Sequence, residues 1–296
     1  MTTQALSTRW LFWGPTLIWA STWHVILYQL DSGVPVLNSV AWRFALAALL
    51  LLAFARWRGD SLGLPWGAHG LMAATGIVQY SGNYWSVYEA ERHIPSGLVA
   101  VLFCLMVFGN ALSGRIFFGQ QVTRRFLLAA SGGVLGVVLI FWPEIAATGA
   151  RPTAAYGLAL GLAAVLAACI GNVLTLTLTR RGLPLVPILA WSMGYGALFL
   201  MGLSLASGAG LHIDARPPYL LSLLYLAVFG SVIAFVLYFN LAQAQGPARA
   251  ALTGVVIPVI ALAISAALEG WRPNGLALAG MALCLGSIYI ATRPSR

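Results

Sequence analysis

The sequence predicts an all-α integral membrane protein whose ten transmembrane helices form two inverted five-helix repeats. Hydrophobic residues make up 60% of the 296 residues, charged residues make up 8%, and the mean hydropathy is +0.88. The few charges alternate in sign from one gap between apolar segments to the next, and several short motifs recur in the second half of the chain. A water-soluble fold of this length cannot bury so much apolar surface, so we expect the bilayer to be its solvent.

Ten apolar segments are long enough to cross a membrane. A helix needs about 20 mostly apolar residues to cross a hydrocarbon core of about 30 Å. The predicted spans are residues 10–28, 35–54, 66–88, 96–118, 122–142, 154–179, 187–206, 219–241, 247–268 and 274–292. The connections between them are short, which excludes a separate catalytic or nucleotide-binding domain.

The charges predict the orientation of these spans. All 16 residues with a basic side chain are arginines. We number the gaps between spans from the N-terminus. One group of arginines lies in the two terminal tails and in or beside the even gaps, together with one acid, Asp60: Arg9, Arg56, Arg58, Arg115, Arg124, Arg125, Arg180, Arg181, Arg249, Arg293 and Arg296. The odd gaps hold Arg92, Arg151, Arg216 and Arg272 with Asp31, Glu89, Glu91, Glu144, Asp214 and Glu269. Because cytoplasmic loops are enriched in Arg, this pattern predicts that both termini are cytoplasmic.

Composition also restricts the partners of the chain. The net charge of +9 is spread over separate short gaps rather than gathered into a stripe, which argues against a nucleic-acid partner. Cys104, Cys169 and Cys284 lie inside apolar spans without CxxC spacing, so we expect no metal, no cofactor and no disulfide. The expected partners are the lipid bilayer and a small-molecule substrate, and the sequence leaves the oligomeric state open.

An internal repeat divides the chain into residues 1–145 and 146–296. Pro35 and Trp42 recur 149 residues later as Pro184 and Trp191, and GVVLI from Gly136 aligns with GSIYI 150 residues later. Five spans per copy is an odd number, so the second copy enters the bilayer upside down relative to the first. Inverted repeats of this kind are common in secondary transporters, where the two copies exchange roles around a midplane site.

The whole chain resembles the EamA-type drug/metabolite transporter superfamily. The resemblance rests on the five-plus-five spans, the WASTW run at residues 19–23, the AWRFALAALLLL run from Ala41 and the glycine-rich fifth and tenth spans. Within the superfamily the chain is most similar to YddG-like exporters of aromatic amino acids. The resemblance implies a secondary transporter, not an enzyme, in a bacterial inner membrane. One departure is that Glu269 ends the fourth helix of the second copy, whereas Phe117 holds the equivalent place in the first.

The third span supplies the strongest candidates for a substrate site. Tyr80, Asn83 and Tyr84 follow helical spacing and so share a predicted face, with Gln79 beside them. Unpaired amides in hydrocarbon cost several kcal/mol, so this face should look into protein or a water-filled cavity. Asn110, Asn172 and Tyr238 are further polar candidates in the fourth, sixth and eighth spans, although helix-to-helix hydrogen bonding also explains lone amides.

The first two spans supply the remaining candidates. Trp19 and Trp23 lie four residues apart, near His24, and their rings could hold an aromatic side chain or a flat organic cation, or could face lipid. His24 is a candidate substrate or proton site, or an ordinary hydrogen-bonded histidine. Arg43 could bind a carboxylate, but packing against helix ends with its head group extended toward the surface is the favoured interpretation, because the resemblance implies that arginine here is general to the superfamily.

These observations predict a carrier that exports aromatic or other apolar amino acids by alternating access. An intramembrane enzyme would need an acid-base pair or a nucleophile at depth, and the sequence has no HExxH, no GxSxG and no paired aspartates. A non-transporting membrane subunit and a carrier of another solute remain alternatives. Phosphate-bearing solutes are disfavoured, because the spans offer a single arginine where phosphates usually require more.

Overall fold

Every regular element in the described residues is helical, which confirms the all-α prediction. The computed structural model describes residues 7–94, 96–148, 153–268 and 274–292. Its α-helices are α1 Thr8–Leu30, α2 Val36–Arg58, α3 Trp66–Thr75, α4 Asn83–Glu91, α5 Ser96–Phe103, α6 Met106–Phe118, α7 Arg124–Ile140, α8 Trp142–Thr148, α9 Ala154–Arg180, α10 Leu185–Ala206, α11 Pro217–Ala227, α12 Ala234–Gln245, α13 Pro247–Ala250, α14 Thr253–Leu268 and α15 Gly275–Thr292. Two π-helical turns, π1 Gly76–Gly82 and π2 Val228–Ile233, join α3 to α4 and α11 to α12.

These elements join into ten spans within the described ranges. Spans 1, 2, 5, 6, 7 and 10 are α1, α2, α7, α9, α10 and α15; span 3 is α3–π1–α4, span 4 is α5–α6, span 8 is α11–π2–α12 and span 9 is α13–α14. By length and composition alone, five helical stretches are apolar enough to cross a membrane: Val36–Arg58, Leu98–Phe118, Ala154–Arg180, Leu185–Ala206 and Pro217–Gln245. Glu269, Arg151 and Arg272 lie outside the described residues.

The packing of the spans follows the symmetry of a repeat. Span 2 packs along span 7, and span 5 packs along span 10. Span 1 packs on span 8 and on span 9, while span 6 packs on span 3 and on span 4. Each of these pairings therefore has a counterpart when every span is replaced by the span five places along the chain: the contact of spans 1 and 8 corresponds to that of spans 6 and 3, for example. The boundary predicted between residues 145 and 146 falls inside α8, and it stays a prediction.

The two π-helical turns lie at matching places in the two halves. π1 begins at Gly76 and π2 begins 152 residues later at Val228. A serine stabilises each turn: the Ser81 hydroxyl donates to the Gly76 carbonyl at 3.1 Å, and the Ser231 hydroxyl donates to the Leu226 carbonyl at 2.9 Å. This pair lies in the middle of spans 3 and 8. Because π turns are rare and occur frequently at functional sites, the middle of these spans is a candidate functional region.

Glycines allow the closest approaches between spans. A Cβ atom on Gly76 would overlap the backbone of span 7 at Ser192 and would lie 2.7 Å from the Gly196 nitrogen. A Cβ atom on Gly136 would lie 2.7 Å from the Gly280 carbonyl oxygen, where span 5 meets span 10. Such contacts hold spans 3 and 7, and spans 5 and 10, at backbone distance.

A surface clasp connects two loops at the odd-gap side of the protein. The Arg216 guanidinium pairs with the Asp214 carboxylate at 2.7 Å and donates to the Ser32 carbonyl at 3.1 Å. A hydrogen bond from the backbone N–H of Arg216, together with the guanidinium, holds the pKa of Asp214 below its usual value. The clasp ties the loop before span 8 to the loop after span 1.

Candidate functional site

A cavity lies among spans 1, 2, 3, 4, 6, 8 and 9, at the level of the π turns. Its wall includes seven of the residues that the sequence predicts for a substrate site: Trp19, Trp23, Gln79, Asn83, Tyr84, Asn172 and Tyr238. Most of the remaining wall is apolar, with Ile26, Val87, Phe103, Met106 and Ile257 among its members. Apolar walls with a few convergent polar groups are typical of small-molecule sites.

Aromatic rings cover one side of this cavity. The Trp19 ring lies 5.4 Å from the Phe235 ring and 5.3 Å from the Tyr238 ring, and its indole N–H donates to the Gly230 carbonyl at 3.1 Å. The Trp23 ring lies 5.6 Å from the Phe103 ring in an edge-to-face arrangement. A hydrogen bond and ring contacts orient Trp19, and a ring contact orients Trp23, so that both line the cavity rather than facing lipid alone.

Arg43 brings a positive charge to the cavity wall. Its side chain is 1% exposed. Its Nε donates to the Ser231 hydroxyl at 3.0 Å, its Nη1 to the Tyr88 hydroxyl at 3.5 Å and its Nη2 to the Gly230 carbonyl at 3.4 Å. The guanidinium also lies 4.5 Å from the centre of the Tyr84 ring. The favoured sequence interpretation, in which Arg43 extends toward the membrane surface, is wrong, because span 8 and span 3 hold its head group inside the protein.

Three amide side chains on the wall have an oxygen without a hydrogen-bond partner in the described part of the chain. These are Gln79 Oε1, Asn83 Oδ1 and Asn172 Oδ1, and the three side chains are only 2–3% exposed. A buried acceptor left unpaired costs about 1–3 kcal/mol. The amide oxygen of Gln79 packs against Gly171, where the Cβ atom of any other residue would overlap it. These wall residues thus carry acceptor oxygens that are unpaired and themselves buried.

A hydrogen-bonded cluster lies next to the cavity on the even-gap side. The side-chain N–H groups of Asn110 and Asn172 donate to the Tyr238 hydroxyl at 3.3 and 3.2 Å, and Asn172 also donates to the Asn110 carbonyl oxygen at 3.3 Å. We call this set the amide–tyrosine cluster. It connects spans 4, 6 and 8, so both interpretations of the lone amides hold: they bond between helices, and Asn172 and Tyr238 also line the cavity.

Three predicted residues do not line the cavity. Tyr80 is fully buried behind the wall, where its ring lies 5.1 Å from the Phe44 ring and 5.3 Å from the Phe235 ring. Asn110 is buried one layer behind Tyr238. His24 is exposed, and its ring packs at 5.7 Å against the Tyr28 ring on the outside of span 1. Trp19 and Trp23 therefore face the cavity without His24.

Some wall residues were not among the predicted site residues. Phe235 has no polar atom to single it out, and Thr22 lies within the WASTW run that was noted for its tryptophans. Tyr88 lies behind the wall beside the third gap, where an aromatic residue at the membrane surface would be the ordinary expectation, but it is fully buried and its hydroxyl donates to Gln29 Oε1 at 2.9 Å. Among the described residues, no group of three or more His, Cys, Asp or Glu is placed to hold a metal ion.

Curated relatives and a solved structure cover nearly the same length as this chain. A probable amino-acid metabolite efflux pump of Salmonella typhimurium is 25% identical over 230 residues, which are 74% of this chain and 75% of that protein. The uncharacterized inner membrane transporter YedA of Escherichia coli K12 is 27% identical over 257 residues, 86% of this chain and 80% of that protein. One crystal structure superimposes with a TM-score of 0.75 over 97% of this chain and 96% of its own, at 18% identity, which shows the shared fold alone.

The family match follows the internal repeat. The EamA-like transporter family matches residues 8–142 and matches again at residues 155–293. The two matches leave only the region around α8 between them. Their extent covers most of the chain, so the protein is a membrane transporter and not an enzyme. The chain belongs to the EamA-like transporter family.

Proposed function

We propose that this protein exports aromatic or other apolar amino acids by alternating access, with the cavity as its substrate site. The observation that carries the proposal is the composition of the wall: the rings of Trp19, Trp23 and Phe235 adjoin a buried arginine and unpaired amides. An apolar side chain matches the rings, and the charged ends of an amino acid match the polar groups. A single buried cation, Arg43, disfavours the organic-cation alternative, because like charges repel at low dielectric.

The relatives support the same class of solute. One of them is named as a probable amino-acid metabolite efflux pump, and it aligns over three quarters of this chain's length. Residues of the proposed site are Trp19, Trp23, Gln79, Asn83, Tyr84, Asn172 and Tyr238, with Arg43 added from the structure. Tyr80 and Asn110 take supporting positions behind the wall, and His24 is left out because it is exposed outside the cavity.

Growth in the presence of toxic amino acid analogues tests export. Cells that make the protein should tolerate 4-fluorophenylalanine at higher concentrations than cells with an empty vector. Asn83→Ala should lose this protection, because Asn83 lies on the cavity wall, whereas Asn240→Ala should keep it, because Asn240 is an exposed amide on span 8. Equal sensitivity of vector and wild-type cells, with the protein present in the membrane, would contradict the proposal.

We also propose an inner-membrane location with both termini in the cytoplasm. The support is the arginine pattern of the even gaps, together with a relative named as an inner membrane transporter. Reporter fusions after Arg58 and after Arg181 should both report the cytoplasmic side. Reporters on opposite sides would contradict both the orientation and the inversion of the two halves.

A further inference from the structure

The charge of Arg43 has no acidic partner within ion-pair distance in the described part of the chain. The ion pairs found there involve Arg58, Arg92 and Arg216, all at least partly exposed. Glu91 attracts Arg43 only at longer range, since no nitrogen-to-oxygen distance between them is within 4.0 Å. A buried cation without a paired anion is unusual, because buried charges are normally paired.

The guanidinium also has unused donors. Arginine carries five N–H groups, and three of them make the bonds to Ser231, Tyr88 and Gly230. Two of those three bonds are long, at 3.4 and 3.5 Å. Arg43 lines the cavity, so its remaining N–H groups lie where a carboxylate oxygen could accept from them.

Acceptors for a positive group lie on the neighbouring span. Asn83 is adjacent in sequence to Tyr84, whose ring lies 4.5 Å from the Arg43 guanidinium, and Gln79 lies one turn further toward the middle of span 3. Both amides are nine-tenths buried, line the cavity and keep an oxygen unpaired. The Gln79 oxygen packs against Gly171, whereas a half-turn of the Asn83 amide, which exchanges its oxygen and its N–H groups, presents the Asn83 oxygen to the cavity. Carbonyl oxygens are suited to an ammonium group, which has three donors and no acceptor.

We propose that the cavity binds its solute as a zwitterion in one fixed orientation. Arg43 receives the α-carboxylate, and the amide oxygen of Asn83 receives the α-ammonium. The side chain then extends toward the rings of Trp19, Trp23 and Phe235. This inference rests on the proposed amino acid export and adds the polar groups that decide which solutes are accepted: free amino acids bind, whereas amines, acids and N-acylated amino acids with the same side chain do not.

Counterflow in liposomes tests this selectivity without any mutation. Liposomes that contain the purified wild-type protein are loaded with unlabelled phenylalanine or leucine. Uptake of the same labelled amino acid is then measured in the presence of external competitors. The competitors are the same amino acid, its decarboxylated amine (2-phenylethylamine or isoamylamine) and its deaminated acid (3-phenylpropionate or 4-methylvalerate). We expect the amine and the acid to compete at least about tenfold more weakly than the amino acid, since each lacks one charge-assisted set of hydrogen bonds.

Variants then assign each charged end to its residues. Arg43→Gln should reduce the preference for the amino acid over the amine, which lacks the carboxylate, to about twofold or less. Asn83→Leu should reduce the preference for the amino acid over the acid, which lacks the ammonium, to about twofold or less. Arg115→Gln is the matched control: it removes an exposed arginine that does not line the cavity, and it should keep the wild-type preferences. If Arg43→Gln fails to fold, the wild-type competitor series still decides.

Two outcomes separate the two levels of the proposal. If the amino acid undergoes counterflow and the amine competes equally well, the zwitterion site is overturned while amino acid transport stands. If none of the twenty amino acids undergoes counterflow in liposomes with correctly folded protein, the proposed export is overturned together with the inference that rests on it.

Discussion

Two groups of buried polar side chains lie toward opposite ends of the cavity. The amide–tyrosine cluster lies toward the even-gap side, because Asn110 follows the wall residue Met106 by one turn of span 4 in that direction. At the other end, Tyr88 and Gln29 lie beyond the wall residues Val87 and Ile26. Each group joins spans that have few other polar contacts, so single side chains have measurable effects there.

The first prediction concerns Tyr238. Tyr238→Phe removes the hydroxyl that accepts from Asn110 and Asn172, and it leaves the ring contact with Trp19 in place. Hydrogen bonds between transmembrane helices average about 0.6 kcal/mol, so losing two should lower the free energy of unfolding by about 1 kcal/mol. Unfolding in mixed detergent micelles measures this loss. Tyr156→Phe, which removes the hydroxyl of an exposed tyrosine on span 6, is the control; an equal loss in both variants would show that the cluster adds no specific stability.

The sequence located most of the polar wall but misplaced some of its neighbours. Gln79, Asn83 and Tyr84 were recognisable because amides and hydroxyls are rare in spans. Tyr80 was expected on the same face from the spacing of an ordinary α-helix, but it lies within π1, whose wider turn changes which residues share a face. Arg43 and Tyr88 could not be placed from one span alone, because their partners Ser231 and Gln29 belong to spans distant in sequence.

At the scale of elements, the bundle depends on spans that touch through glycine. The contact between Gly76 and Gly196 brings span 3 against span 7 beside π1, which fixes where Gln79 and Asn83 point. The chain has 32 glycines, and neither of these two has another glycine four residues away. A contact made by one glycine from each of two spans leaves no local pattern, so the sequence did not predict it.

The second prediction compares two glycines of span 3. Gly76→Ala should destabilise the fold by about 1–3 kcal/mol, because its Cβ would overlap the backbone of span 7 and force the helices apart. Gly70→Ala should be neutral or stabilising by up to about 1 kcal/mol, because no atom lies within 4 Å of its Cβ and alanine favours helix. Thermal unfolding followed by size-exclusion chromatography measures both. Equal midpoints for the two variants would contradict the close approach seen here.

For the molecule as a whole, two polar groups lie toward opposite ends of the cavity. Under the proposed alternating access, we expect opening toward the odd-gap side to separate the Tyr88–Gln29 bond and opening toward the even-gap side to separate the amide–tyrosine cluster. Alternating access opens one end at a time. Weakening one group should therefore shift the population toward the state that opens at that end.

The third prediction uses a cysteine at Val87 on the cavity wall. Labelling of Val87→Cys by an impermeant maleimide from the odd-gap side should increase several-fold when Tyr88→Phe is added, because the phenol no longer bonds to Gln29. Adding Tyr238→Phe instead should increase labelling from the even-gap side. The parent protein reports the background, since Cys104, Cys169 and Cys284 are all buried. Labelling that rises equally from both sides in either double variant would contradict separate closures.

The overall architecture was predictable because it depends on simple regularities. The length of the apolar segments predicted the spans, and the recurrence of Pro35 and Trp42 as Pro184 and Trp191 indicated the repeat. Position 43 shows where that reasoning ends: the same offset aligns Arg43 with Ser192, so the repeat gives no hint of a charge that one copy holds alone. The surroundings of such a residue become visible only when distant spans are brought together, as Ser231 and Tyr88 are around Arg43.

The paired π turns have a mechanical consequence. Within each turn the carbonyls bond five residues ahead, while the helix on either side bonds four ahead, so a small shift of partners moves the turn along its span without breaking the rod. Such a shift twists one end of the span against the other. Spans 3 and 8 thus each contain, at the depth of the proposed site, a place where one end of the span can rotate against the other, so each half can reorient its part of the cavity wall while the far end of the span stays in place.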